Sequence, residues 1–201
     1  MVRISTVILA AGASRRLGFN KLCVRVNGEA VIRRTVRLFV EAVPGEIAVV
    51  TGFERERVEQ ELAGLPVTLF HNERPEDGMS SSIRAALPVI GRSDLVLFHL
   101  GDKPFVEPRD IDRVMRAYGA DGPSIIVAVH KGVKGHPVLV DMRRHLEEVG
   151  AIEGQGGLRD VIAGAKGYVR FVEGTEGCIL DMDTEEDIAF LRRRGYTIEK
   201  G

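Results

Sequence analysis

Cysteine is scarce: Cys23 and Cys178 are the only two in 201 residues, and neither stands in a metal-ligand spacing. That argues against a disulfide scaffold or a zinc ribbon and leaves both thiols as small core residues. An excess of charge of one sign is also missing. Lys+Arg 28 against Asp+Glu 29 leaves a net charge of −1, so no global field points to nucleic acid or to an anionic membrane. Any anion site must be local. The first apolar run stops at Gly12, too short to span a bilayer. It also lacks the cleavage context of a secretion signal, so the cytoplasm is the expected compartment. No proline- or serine-rich linker, repeat or low-complexity segment divides the chain. Two familiar phosphate loops are absent as well: neither G-x-x-x-x-G-K-[ST] nor G-x-G-x-x-G occurs near the first glycines.

What is present is an ordinary globular mix, 44% hydrophobic and 28% charged, in a length that suits one sizeable core. Short β-branched runs predict strands at residues 6–10, 46–51, 67–71, 94–100, 124–129 and 137–140. Between and after them, helical spacing predicts helices at 30–42, 54–62, 79–87, 108–118, 158–163 and 184–194. Pro108 suits a first helical turn, and Thr184 with Asp187 reads as an N-cap and its N3 partner. Nearly all-apolar strands alternating with helices imply a single α/β domain, with a mostly parallel sheet flanked by helices. After Ser124 the elements shorten and glycines multiply. Residues 1–201 are therefore read as one domain with a first half, about residues 1–105, and an elaborated second half, about 106–201, that could supply an acceptor site.

The richest chemistry follows the first strand, where Leu9-Ala10-Ala11-Gly12-Ala13-Ser14-Arg15-Arg16-Leu17-Gly18-Phe19-Asn20-Lys21 leaves the carboxyl edge of the sheet. Small residues let backbone N–H groups approach a phosphate, and Arg15, Arg16 and Lys21 can neutralise it. On composition alone a solvated glycine turn with two surface arginines fits as well. Asp102 follows an apolar strand and emerges at the same rim. A carboxylate facing a triphosphate needs a cation between them, and magnesium (Mg2+) typically uses one or two carboxylates. Asp183 is either the second such carboxylate or a partner for the dipole of the helix it precedes. Gly78-Met79-Ser80-Ser81-Ser82 places small residues at a helix start, suited to an anion or base edge, or to a plain serine cap. His136 is either a contact for acceptor phosphate or metal, or a hydrogen-bonded histidine at a strand entry.

The opening string resembles the signature L-A-A-G-x-S-x-R-[ML]-G-x-x-K of the MobA-like nucleotidyltransferases, and within that superfamily the molybdenum cofactor cytidylyltransferases. Further similar segments follow in the family's order. They run from Asn72 through Gly78-Met79-Ser80-Ser81-Ser82-Ile83, then Gly101-Asp102-Lys103-Pro104, Gly135-His136-Pro137-Val138, and Asp181-Met182-Asp183-Thr184 through Asp187. Two positions depart from the pattern: Gln155 stands where relatives carry an acid, and Glu185 where they carry proline.

The resemblance implies a Rossmann-like fold of the nucleotide-diphospho-sugar transferase type. It implies transfer of a nucleotide monophosphate from a nucleoside triphosphate to a phosphorylated small molecule, molybdopterin or its molybdenum-loaded form, with release of pyrophosphate. The nucleotide contacts carried over are Leu9, Ala10, Ala11, Gly12, Ser14, Arg15, Lys21, Asn72, Gly78, Met79, Ser82 and Gly101. Lys21, Arg15 and Asp102 would be catalytic, Asp102 and Asp183 would hold the metal, and His136 and Arg159 would face the acceptor. CTP is favoured over GTP because the loop reads Leu-Ala-Ala-Gly, where guanylyl-transferring relatives read Leu-Ala-Gly-Gly. A molybdoenzyme or maturation partner would receive the product. A sugar-phosphate nucleotidyltransferase, a glycosyltransferase built on Asp181-Met182-Asp183, and a nucleotide-binding regulator share parts of the pattern.

Overall fold

The computed structural model describes residues 2–13, 17–119, 122–154 and 156–200. The expectations for Ser14, Arg15, Arg16 and Gln155 concern residues outside this set. In chain order the elements are β1 (Ile4–Ala10), β2 (Arg25–Val26), β3 (Glu29–Ala30), α1 (Val31–Ala42), β4 (Glu46–Thr51), α2 (Arg55–Glu61) and β5 (Thr68–His71). There follow α3 (Met79–Ala85), α4 (Leu87–Ile90), β6 (Leu95–Leu100), α5 (Pro108–Arg116), β7 (Ile125–His130) and β8 (Val133–Asp141). The chain continues with α6 (Met142–Gly150), α7 (Leu158–Gly164), β9 (Val169–Glu173), α8 (Glu185–Arg193) and β10 (Ile198–Glu199). Seven strands form one sheet in the order β5-β4-β1-β6-β8-β7-β9, and β10, β2 and β3 form a small antiparallel sheet.

The large sheet is parallel from β5 to β6 and again between β7 and β9, and β8 runs antiparallel to both its neighbours. Reversal is achieved by a two-residue hairpin turn at Lys131 and Gly132, both at positive φ (49° and 80°). That conformation matches the twist of the flanking strands. The strand predicted at 137–140 therefore starts earlier, at Val133.

Alternation along each central strand splits the core between the two faces. From β1, Ile8 and Ala10 point to the α1, α2 and α5 side with Phe39, Leu62 and Ile111. Val7 points to the α3, α4, α6 and α7 side with Ile83, Val149 and Val161. Truncating a side chain as enclosed as Leu97 to alanine would cost roughly 2–5 kcal/mol. A third cluster, with Val26, Val31, Leu191 and Ile198, joins the small sheet to α8.

Tight packing at the carboxyl edge aims the site. A Cβ on Gly101 would lie 3.0 Å from the Ala10 Cβ and 2.9 Å from Ile32 Cδ1. A side chain there would have to push both aside, so glycine eases the close approach of the end of β6 to the end of β1, with Gly101 N–H donating to the Leu9 carbonyl at 2.8 Å.

Candidate active site

The loop after β1 starts inside and comes out: Ala10 and Ala11 are buried, and Gly12 is exposed. A Cβ on Gly12 would meet no described atom within 4 Å, so open space lies in front of the backbone there. The Ala11 methyl faces inward instead. An added Cβ on Gly52 would come within 2.7 Å of it.

Lys21 opens a 3-10 turn, Lys21–Cys23, whose start is fixed by the buried Asn20: its Oδ1 accepts from Leu22 N–H at 3.1 Å. The Lys21 side chain is only 14% exposed, and its ammonium is bound to both the Asp102 and the Asp183 carboxylates. Burial works against the charged amine, but Asp102 and then Asp183 outweigh it and hold the pKa above the ordinary lysine value. Three residues far apart in sequence thus meet at one point.

Asp183 faces Lys21 because another residue serves the helix that follows it. The Asp187 carboxylate accepts from the backbone N–H groups of Asp183 (3.0 Å) and Thr184 (2.9 Å), and Thr184 Oγ1 accepts from Asp187 N–H at 3.1 Å. This capping box satisfies the start of α8 and leaves the Asp183 carboxylate to the site. The cap expected at Thr184 and Asp187 is present as read from the sequence.

Asp102 has one buried oxygen, Oδ1, with no hydrogen-bond partner. An orphaned carboxylate oxygen beside a second carboxylate is a donor set that fits a hard divalent cation. Among the described residues no three His, Cys, Asp or Glu side chains cluster as a complete metal cage. Asp102 and Asp183 would therefore share a cation with phosphate oxygens and water, the usual habit of magnesium.

On the other side of β1, the buried Asn72 ties the end of β5 to α3. Its amide donates to Ser81 Oγ at 2.8 Å and Ser82 Oγ at 3.0 Å, and its Oδ1 accepts from Arg74 N–H at 2.9 Å. The Asn72 amide is thus engaged within the protein and positions the segment carrying Gly78, Met79 and Ser82. Gly78 itself has φ +93°, a conformation that favours glycine. Met79 packs where a Cβ on Gly157 would lie, 2.7 Å from its sulfur, which brings the start of α3 against the start of α7.

A cavity of about 470 Å³ opens next to Asp102 and Asp183 and is also lined by Lys103, His136, Arg159 and Asp181. His136 and Arg159, expected on the acceptor side, are brought together here. The His136 pKa is pushed down to about 4, first by burial and then by the Lys103 charge, with Arg159 adding to it and the Phe98 backbone and Asp102 opposing. A neutral imidazole brings no charge to a phosphate, so His136 would act as a hydrogen-bonding group. A second histidine, His99, lies fully buried beneath it with ring centroids 5.9 Å apart. Lys103 and Asp181 were not singled out by the motif reading as a pair, yet their side chains meet at 2.5 Å in this wall. The signal was a lysine at the variable position of G-D-x-P. A separate recess of about 660 Å³ between α6 and α7 shares no lining residue with this one, and its Ser124 and His145 bond to each other at 2.6 Å.

The profile of the MobA-like NTP transferase domain matches residues 6–170. The chain belongs to this family. It is 26% identical over 198 residues to the molybdenum cofactor cytidylyltransferase of Escherichia coli K12, covering 98% of this chain and 99% of that protein. The fold is similar to Rv0371c of Mycobacterium tuberculosis H37Rv, with TM-score 0.82, 26% identity, and 96% and 98% of the two chains covered. It is also similar to Rv0371c in complex with manganese, with TM-score 0.79, 24% identity, and 94% and 98% covered. This MobA-like chain is a member of a nucleotidyltransferase family with the matching single-domain α/β fold. None of its described helices is long and apolar enough to cross a membrane.

Proposed function

We propose that this MobA-like protein transfers CMP from CTP to a phosphorylated small-molecule acceptor, molybdopterin or its molybdenum-loaded form, and releases pyrophosphate. The observation that carries the reading is the meeting of the Lys21 ammonium with Asp102 and Asp183 at the carboxyl edge of the sheet, beside a cavity large enough for a small acceptor. The acceptor comes from the similarity to the cytidylyltransferase of E. coli.

A phosphate monoester is largely dianionic near neutral pH, its second pKa being about 6, so an acceptor phosphate oxygen can attack the α-phosphorus without a general base. The P–O bond to the β-phosphate breaks in line and pyrophosphate leaves with the electron pair. The chain's task is then positioning and charge neutralisation. Leu9, Ala10, Ala11, Gly12 and Ser14 would present the loop backbone to the triphosphate. Lys21, with Arg15, would exchange its carboxylate partners for the charge that builds on the leaving pyrophosphate. Asn72 would hold Gly78, Met79 and Ser82 beside the nucleotide, and Gly101 would set Asp102 at the rim. A magnesium ion bound by Asp102 and Asp183 would supply neutralisation of phosphate charge, a role favoured by the orphaned Asp102 Oδ1 and by the manganese complex of Rv0371c. His136 and Arg159 would face the acceptor from the acceptor-side half.

The test is pyrophosphate release across a panel of nucleoside triphosphates with magnesium and acceptor. Turnover with CTP and acceptor, and none without acceptor, is expected. Binding of CTP without pyrophosphate release under any acceptor tried would point to the regulator reading instead.

A further inference from the structure

Lys103 is an unusual residue to find in the wall of a small-molecule cavity. Its side chain is 8% exposed, whereas that of Asp181, which holds its ammonium at 2.5 Å, is 51% exposed. An ammonium that far from water needs an anion beside it. The anion it has is a carboxylate that water can rehydrate once released, whereas the enclosed ammonium needs another anion in its place.

Independent features of the same cavity point to a ligand there. His136 Nδ1 and Asp102 Oδ1 are buried and without hydrogen-bond partners, and both residues line the space that Lys103 lines. Lys134 and Arg159 add two more cations to the lining, while Val127, Val138 and Ile162 supply an apolar surface. An anionic group with an apolar or planar body matches that distribution. Lys103 also directly follows Asp102 in sequence, so an anion seated on it lies beside the carboxylate placed at the metal.

We propose that Lys103 seats the phosphate of the acceptor, with Asp181 as a placeholder that occupies the ammonium until the phosphate displaces it. This rests on the transferase reading above and adds the contact that brings the nucleophile to Asp102. The exchange is non-covalent: the dianion takes the ammonium, and the Asp181 carboxylate turns to water. The acceptor class follows: a phosphate monoester whose body lies on Val127, Val138 and Ile162 and offers an N–H or O–H to His136 Nδ1.

The test is an inorganic phosphate titration of the full chain with lysine ¹³C-labelled at Cε, followed by NMR. The Lys103 signal is assigned as the one that Lys103→Met removes. It should move with phosphate in the wild type. Asp181→Asn should bind phosphate about ten-fold more tightly, because the competing carboxylate is gone, and Lys103→Met about ten-fold or more weakly. A gain of affinity cannot arise from misfolding, which keeps the Asp181→Asn arm decisive. Phosphate that moves other lysine signals but not this one, or binds Asp181→Asn no more tightly than wild type, overturns the proposal. The two readings separate in the transfer assay. If Lys103→Gln turns over with an unchanged acceptor KM, the phosphate seat falls and the transferase stands. If no nucleotide is turned over while the Lys103 signal responds as expected, the transferase reading falls and takes the acceptor role with it, leaving a phosphate seat at Lys103.

Discussion

Lys21 and Asp183 lie 162 residues apart in sequence and form an ion pair, with Asp102 on the same ammonium. One positive charge between two carboxylates holds the end of the chain's first loop against the segment before α8. The same arrangement makes the lysine a stand-in for the cation that the two acids suit.

Lys21→Ala is expected to slow pyrophosphate release by on the order of 10²-fold or more, as for the loss of a group that meets charge developing in the transition state. The side chain is largely enclosed, so the substitution also leaves two acids facing each other without compensation. The variant should melt at a lower temperature than wild type without metal, and added magnesium should recover more of the loss in the variant than in wild type. A kcat near the wild-type value would remove the assigned role.

Asp102→Ala should abolish magnesium-dependent turnover while the chain stays folded, because its Oδ1 makes no hydrogen bond and Asp183 remains to pair with the Lys21 ammonium that Asp102 Oδ2 gives up. Asp183→Ala should be equally or less damaging. Circular dichroism and a magnesium titration of the rate check both; full activity of Asp102→Ala at saturating magnesium would sink the metal site.

CTP should be used with a higher kcat/KM than GTP. One methyl in direct contact with a base discriminates by about 10–200-fold. The Ala11 methyl is buried against Gly52, however, so it acts through the path of the loop. Ala11→Gly should therefore move the CTP-to-GTP ratio by less than about ten-fold, measured by direct competition with a single acceptor. A wild-type preference for GTP would refute the cytidylyl assignment and leave nucleotidyl transfer intact.

His136 contributes a pH dependence of stability. Its pKa falls from 6.5 to about 4 on folding, driven by burial and then by Lys103, with Arg159 lowering and Asp102 raising it. Folding thus favours the neutral ring. The contribution is present above pH 6.5 and is lost as the pH falls through about 4. It amounts to roughly 3 kcal/mol at most. Urea unfolding at several pH values should show His136→Gln with a shallower loss between those limits; parallel curves for the two proteins would refute it.

The central strands were legible because β1, β4 and β6 are nearly all apolar, which only a strand covered on both faces requires. The edge strand β9 was not, since Phe171 stands 50% exposed and the run lacks a clean alternation. The helix α6 begins on a cap, Asp141, that belongs equally to the end of β8, and so the apolar run hid it. The reversal of β8 hangs on Lys131, a residue that seldom marks a tight turn. Lys21, Asp102 and Asp183 were named from motif positions. Periodicity carries no mark of which lysine pairs with which acid, and Lys103 with Asp181 emerged only from their meeting in space.

The three-stranded sheet of β10, β2 and β3 works as a clasp. Ile198 pairs with Val26, five residues beyond Lys21, and Asn27 N–H bonds the Thr197 carbonyl at 2.8 Å. The far end of the described chain is therefore a handle on Lys21, the lysine proposed to meet the leaving pyrophosphate. Clipping the chain after Arg194 would spare every strand of the large sheet and unfasten the lysine's loop, so a bulky fusion or a protease acting there would reach the chemistry from a distance.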